Sequence, residues 1–214
     1  ERKALIRAYG AQLIETDPLE GIDGAILHVR RLVEANPARY FYANQYNNPD
    51  NWQAHYQTTG PEIWQQTVGR VTHFVAGLGT GGTLMGVGRR LRRHNPDVRI
   101  FAAEPLPGDH VQGLRSLDEG FIPEIFDPAG IDGKILVSNT DAIEAVRELT
   151  EQEGIFAGVS CGAVMVAAKQ VAREMERGTI VALLADGGWK YLSTGAYTAD
   201  LDEAEKNAES IIYF

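Results

Sequence analysis

Apolar positions along this chain recur in two periods that take turns. Residues 2–9 repeat at helical spacing up to Gly10, and residues 11–15 read as a short strand. Residues 22–35 place Ile26, Val29 and Val33 on one stripe, a helix stopped by Asn36-Pro37, and residues 40–43 read as another short strand. Residues 44–60 change character: Asn, Gln and aromatic side chains dominate, with Pro49 in the middle. They predict a polar loop and a domain boundary, followed by a helix over 60–67. The alternation then strengthens, with an apolar strand at 71–76 and a helix carrying Leu84, Val87 and Leu91. A further strand follows at 98–103. Between 104 and 134 the periodicity lapses into proline, glycine and acidic residues, and a loop of that length inside a compact domain is more often functional than decorative.

Downstream, a strand at 134–138 precedes a helix at 141–153 with Ile143, Val146 and Leu149 inward, ended by Gly154. The run 155–159 leads into a helix reaching about residue 177. The continuous apolar run 179–185 carries the signature of the middle of a parallel sheet, and the acidic segment 202–210 reads as a surface helix. Strands alternating with helices predict an α/β fold, a parallel sheet with helices on both faces.

Composition alters this picture little. The 214 residues are 44% hydrophobic and 23% charged, as in ordinary globular domains. No apolar run approaches a membrane span. The net charge of −9 argues against nucleic-acid or anionic-membrane partners, and one cysteine excludes an internal disulfide, which fits a reducing cytoplasm. The arginines at 89, 90, 92 and 93 scatter round a helix and read as a solvated face. No set of metal ligands is assigned.

The segment between the strand at 71–76 and its helix reads GLGTGGTLMGVG, with five glycines in its first ten residues. Glycines let a backbone turn tightly against an anion, and the helix N-terminus supplies free N–H groups and a positive dipole end. Thr80 and Thr83 add hydroxyls. A tight turn with no ligand has the same pattern. Two further motifs compete. The spacing Gly77, Gly79, Gly82 matches a dinucleotide fingerprint, and Glu104 falls where its ribose-binding acid belongs, although several elements precede this unit. Gly158-Val159-Ser160-Cys161-Gly162 matches a nucleophile elbow, but all five histidines precede Ser160, so the triad order of that fold fails.

Taken together, GLGTGGTLMGVGRRLR, AAEP, EGIFAGVSCGAVMVAA and KYLSTGAY, with NQYNNPDN and HYQTTGPE upstream, resemble the cysteine synthase family, pyridoxal-phosphate (PLP) enzymes of the tryptophan-synthase-β type. The resemblance runs over essentially the whole chain. It implies that residues 1–44 end a smaller α/β domain and that 45–214 form the larger, cofactor-binding one. Gly79, Thr80, Gly81, Gly82 and Thr83 would hold the cofactor phosphate, and Ser160 would face the pyridine nitrogen while also serving as a helix N-cap. Gln45 and Gly113 would border the substrate. Arg115 would favour O-phosphoserine over O-acetylserine, unless it pairs with Asp118 or Glu119. The implied activity is β-replacement on an O-activated serine by a sulfur nucleophile, giving L-cysteine. A homodimer is expected, and a sulfur-carrier protein is one possible donor. The family's Schiff-base lysine lies upstream of residue 1, so this chain alone is expected to be inactive. A nicotinamide oxidoreductase and a non-catalytic regulatory paralogue remain the alternatives.

Overall fold

Four parallel strands, β1 (His73–Gly77), β2 (Arg99–Pro105), β3 (Gly133–Val137) and β4 (Ile180–Ala182), pair in the order β3-β2-β1-β4. The computed structural model describes residues 1–118 and 122–210. Successive side chains of β1 face opposite ways, so Phe74 and Ala76 enter one core with Leu84, Val87 and Leu91 of α5 (Gly82–His94). Val75 enters the other, with α6 (Asn139–Glu153) and α7 (Val159–Arg173). Helices therefore cover both faces, as the βα alternation predicts.

Local signals account for the helix ends. Ser138 caps α6 by accepting from Asp141 N, and Gly154 closes it at φ +68°, where a side chain would be strained. Upstream lie α1 (Arg2–Ala8), α2 (Gly21–Ala35), α3 (Asp50–Gln57) and α4 (Thr59–Gln66); the acidic α8 (Leu201–Ser210) follows the sheet. Glu1 reaches across to accept from Ser193 N and Oγ, and Arg2 donates to the Lys190 carbonyl.

Three expectations are corrected. Residues 11–15 and 40–43 form no strand: apolar alternation alone does not make a sheet, and neither segment has a strand partner among the described residues. The polar stretch 44–60 contains α3, whose inward side presents Asn51, Trp52 and His55 in place of an aliphatic stripe. Finally, β4 is an edge of the described sheet, paired with β1 alone. Its apolar run reflects two covered faces, with Ile180 and Ala182 packed on one core and Val181 and Leu183 on the other. Apolar faces count layers and carry no information about hydrogen-bonded neighbours.

Candidate active site

The loop leaving β1 is tied down on both sides of Leu78. Its N–H donates to Ala103 O at 2.9 Å, and its carbonyl accepts from Arg115 N at 2.8 Å. Gly81 then takes φ +84°, in the left-handed region, and a Cβ there would stand 2.6 Å from Phe126 Cδ2. A Cβ on Gly82 would collide with the Asn51 side chain. Both positions require glycine, one by conformation and one by space. Among the described residues no hydrogen-bond partner is found for the amides of Gly79, Thr80, Gly81 or Thr83. Free N–H groups at a helix N-terminus beside two hydroxyls fit an anion such as a phosphate.

The segment 113–115 connects this cradle to α7. A Cβ on Gly79 would lie 3.8 Å from the Gly113 carbonyl oxygen, and one on Gly113 would lie 3.4 Å from Ser160 Oγ and 3.7 Å from Tyr191 Oη. Gly113 itself holds φ +90°. Ser160 is 7% exposed and sits in the first turn of α7. It is not the cap: Gly158 holds that place, so the capping role expected for Ser160 is corrected. Thus the glycine loop, Gly113 and Ser160, distant in sequence, adjoin in space. Gln45 is exposed, and its carbonyl joins the group by accepting from Asn51 Nδ2 at 2.7 Å. The Arg115 guanidinium lies 5.7 Å from the Tyr46 ring centroid. Asp118, considered as its partner, pairs with Lys134 at 3.2 Å, and Glu119 lies outside the described residues.

Sequence reasoning missed Asn51, His55, Asp186 and Tyr191. Asn51 and His55 stand one turn apart on α3, and their i, i+4 spacing was the available signal once that stretch is read as a helix. Asp186 accepts from Tyr191 Oη at 2.9 Å and from Lys190 Nζ at 3.2 Å. Burial, reinforced by the Asp186 charge, pushes the Tyr191 phenol up, and burial likewise raises the Cys161 thiol, so Cys161 is no activated nucleophile. Nothing in the spacing of Asp186 and Tyr191 foretold that they would meet the N-terminal end of α7.

Glu104 is fully buried, accepting from Leu117 N at 3.1 Å and standing 3.6 Å from Lys134 Nζ. A carboxylate enclosed in this way is not available to a ribose hydroxyl, and the dinucleotide reading loses its acid. Among the described residues no cluster of three His, Cys, Asp or Glu is arranged to hold a metal, and no helix is long and apolar enough to cross a membrane.

A parallel α/β sheet whose glycine cradle opens onto a buried serine defines a class of anion-anchoring enzymes. Residues 1–186 match the family model of pyridoxal-phosphate dependent enzymes, and the chain belongs to that family. A cysteine synthase of Aquifex aeolicus is 50% identical over 203 residues, covering 92% of this chain and 62% of that protein. Cysteine synthase B of Escherichia coli is 43% identical over 197 residues, with 92% and 64% covered. Among solved structures, a cysteine synthase from Entamoeba histolytica superposes with a TM-score of 0.85 at 34% identity, covering 97% of this chain and 65% of that one. An O-acetylserine dependent cystathionine beta-synthase from Helicobacter pylori gives 0.84 at 35% identity, with 92% and 66% covered. The chain thus spans a little under two thirds of the length of the relatives it matches.

Proposed function

We propose that the whole protein makes L-cysteine by PLP-dependent β-replacement on an O-activated serine, O-phosphoserine or O-acetylserine, with a sulfur nucleophile. The observation that carries this reading is the set of amides at Gly79, Thr80, Gly81 and Thr83 with no partner among the described residues, beside the Thr80 and Thr83 hydroxyls and joined to Ser160 through Gly113. The names of the relatives point the same way. When bound, PLP supplies an electron sink that loosens the substrate's Cα proton and its β-substituent. This chain's residues hold and orient. Gly79, Thr80, Gly81, Gly82 and Thr83 grip the phosphate. Ser160 offers the ring nitrogen a neutral hydroxyl in the first, positive turn of α7, which gives no support to a protonated nitrogen and so favours elimination over other fates. Gln45, Gly113 and Arg115 receive the substrate, Arg115 with a planar fork suited to a phosphate dianion.

In the same reading, residues 1–44 end a smaller domain and 45–214 form the larger one. In support, among the described residues every buried apolar side chain lies at Tyr46 or beyond. The protein acts in the cytoplasm as a homodimer, and a sulfur-carrier protein is one candidate donor. Residues 1–214 by themselves bind the phosphate group at most weakly and do not catalyse. Lys3, Lys134, Lys169 and Lys190 are each engaged by a carboxylate, leaving none of them poised at the cradle. The test is cysteine formation by the full-length protein with PLP, sulfide and each donor in turn. Cysteine released with at least one donor supports the reading; PLP binding without turnover of either donor contradicts it.

A further inference from the structure

Thr80 and Thr83 bracket the glycine pair, and each hydroxyl has one proton to give and two lone pairs to fill. Thr80 Oγ1 receives Asn51 Nδ2–H at 3.0 Å and the Gly82 amide at 3.3 Å. Both lone pairs are then engaged, and the proton is the only bonding capacity left. Asn51 is itself held, because its other amide hydrogen goes to the Gln45 carbonyl. One turn along α3, His55 Nε2 stands 3.2 Å from Thr83 Oγ1, and its Nδ1 stands 3.0 Å from Thr59 Oγ1. Burial depresses the imidazole pKa, so the ring is neutral at physiological pH. The chain Thr59 Oγ1–H to Nδ1, then Nε2–H to Thr83 Oγ1, satisfies a neutral ring in one tautomer and again leaves a threonine proton to spend elsewhere. The packing of the two helices holds these side chains at that distance. A Cβ on Gly86 would run into the Trp52 carbonyl and lie 2.6 Å from His55 Cβ, so α3 rests directly on the first turns of α5.

We propose that Asn51 and His55 are positioning residues for the cofactor phosphate: by donating to Thr80 and Thr83, they turn both threonine protons outward, toward the anion. The proposal rests on the PLP reading above and assigns to α3 the task of orienting the donors in that cradle. A hydroxyl whose proton is already aimed spends no reorganisation when the charge arrives.

The experiment titrates the full-length protein with PLP and, separately, with pyridoxal, which lacks the phosphate, following visible absorbance; circular dichroism reports folding. Asn51→Ala and His55→Leu should each weaken PLP binding about tenfold, as expected for a hydrogen bond to a charged group, and leave pyridoxal binding unchanged. His55→Gln, which keeps a donor near the Nε2 position, should stay within about threefold of wild type. In a Thr80→Val background, Asn51→Ala should cost nothing further, since the hydroxyl through which it acts is gone. Should Asn51→Ala prove unstable, Asn51→Asp keeps the volume but exchanges the donor for an acceptor, and should weaken PLP at least as much. Unchanged PLP affinity in these variants overturns the proposal, as does an equal loss for pyridoxal or an undiminished loss in the Thr80→Val background. Failure of the wild-type protein to bind PLP at all instead overturns the cofactor reading itself.

Discussion

In the function proposed above, Arg115 is the side chain that chooses between two substrates differing only in their leaving group. Its backbone is fixed by the bond from Arg115 N to Leu78 O, which places it two residues from Gly113 and against the loop that precedes the cradle. A guanidinium gains two charge-assisted hydrogen bonds from a phosphate dianion and little from a neutral acetyl ester. Arg115→Ala should therefore lower kcat/KM of the full-length enzyme for O-phosphoserine by about 100-fold, equivalent to about 2.7 kcal/mol, and that for O-acetylserine by less than about threefold. Equal losses with both donors would refute the role. Its assignment from sequence rests only on its neighbours in the motif VQGLRS. Asn51 and His55 were not legible, because an amide and an imidazole in a polar stretch look like solvated loop until their partners, Thr80 and Thr83, are seen across α5.

At the scale of elements, glycines set how closely the helices approach. A Cβ on Gly162 would collide with the Ala142 carbonyl and come within 2.9 Å of Val146 N, so α6 and α7 meet backbone to backbone. Gly162→Ala should force the pair apart and cost about 1–3 kcal/mol, a fall in Tm of roughly 2–4 °C per kcal/mol, read by thermal melting. An unchanged Tm would show that the contact is softer than its geometry implies. The strongly periodic helices and the strands flanking the glycine loop were legible because burial imposes a period on sequence. The runs 11–15 and 40–43 misled, since a few alternating apolar residues have no meaning without a hydrogen-bonded neighbour. The run 179–185, read as a continuous apolar strand in the middle of the sheet, contains a strand at an edge of the described sheet that packs partly buried residues against both cores, because hydrogen-bond partners leave no mark on side-chain polarity.

For the molecule as a whole, the enclosed end of the site has a consequence at high pH. Burial, with the Asp186 charge adding to it, raises the phenols of Tyr191 and Tyr197, the latter also donating to Ala157 O at 2.6 Å. The folded protein keeps these protons where an unfolded chain, titrating near pH 10, releases them. Their contribution to stability is therefore full below about pH 10 and is lost as the pH rises beyond it. Urea unfolding from about pH 8 to 11 should show this decline, and Tyr191→Phe should make it shallower; stability that stays flat over the range would contradict the assignment.

In the proposed function, residues 79–83 are built for a phosphate. The most direct measurement is the ratio of affinities of the full-length protein for PLP and for pyridoxal, which differ only by that group. Several charge-assisted hydrogen bonds predict that PLP binds about 100-fold tighter or more, and that Gly81→Val removes most of the difference. Equal affinities for the two ligands, or a ratio that Gly81→Val leaves untouched, would contradict it.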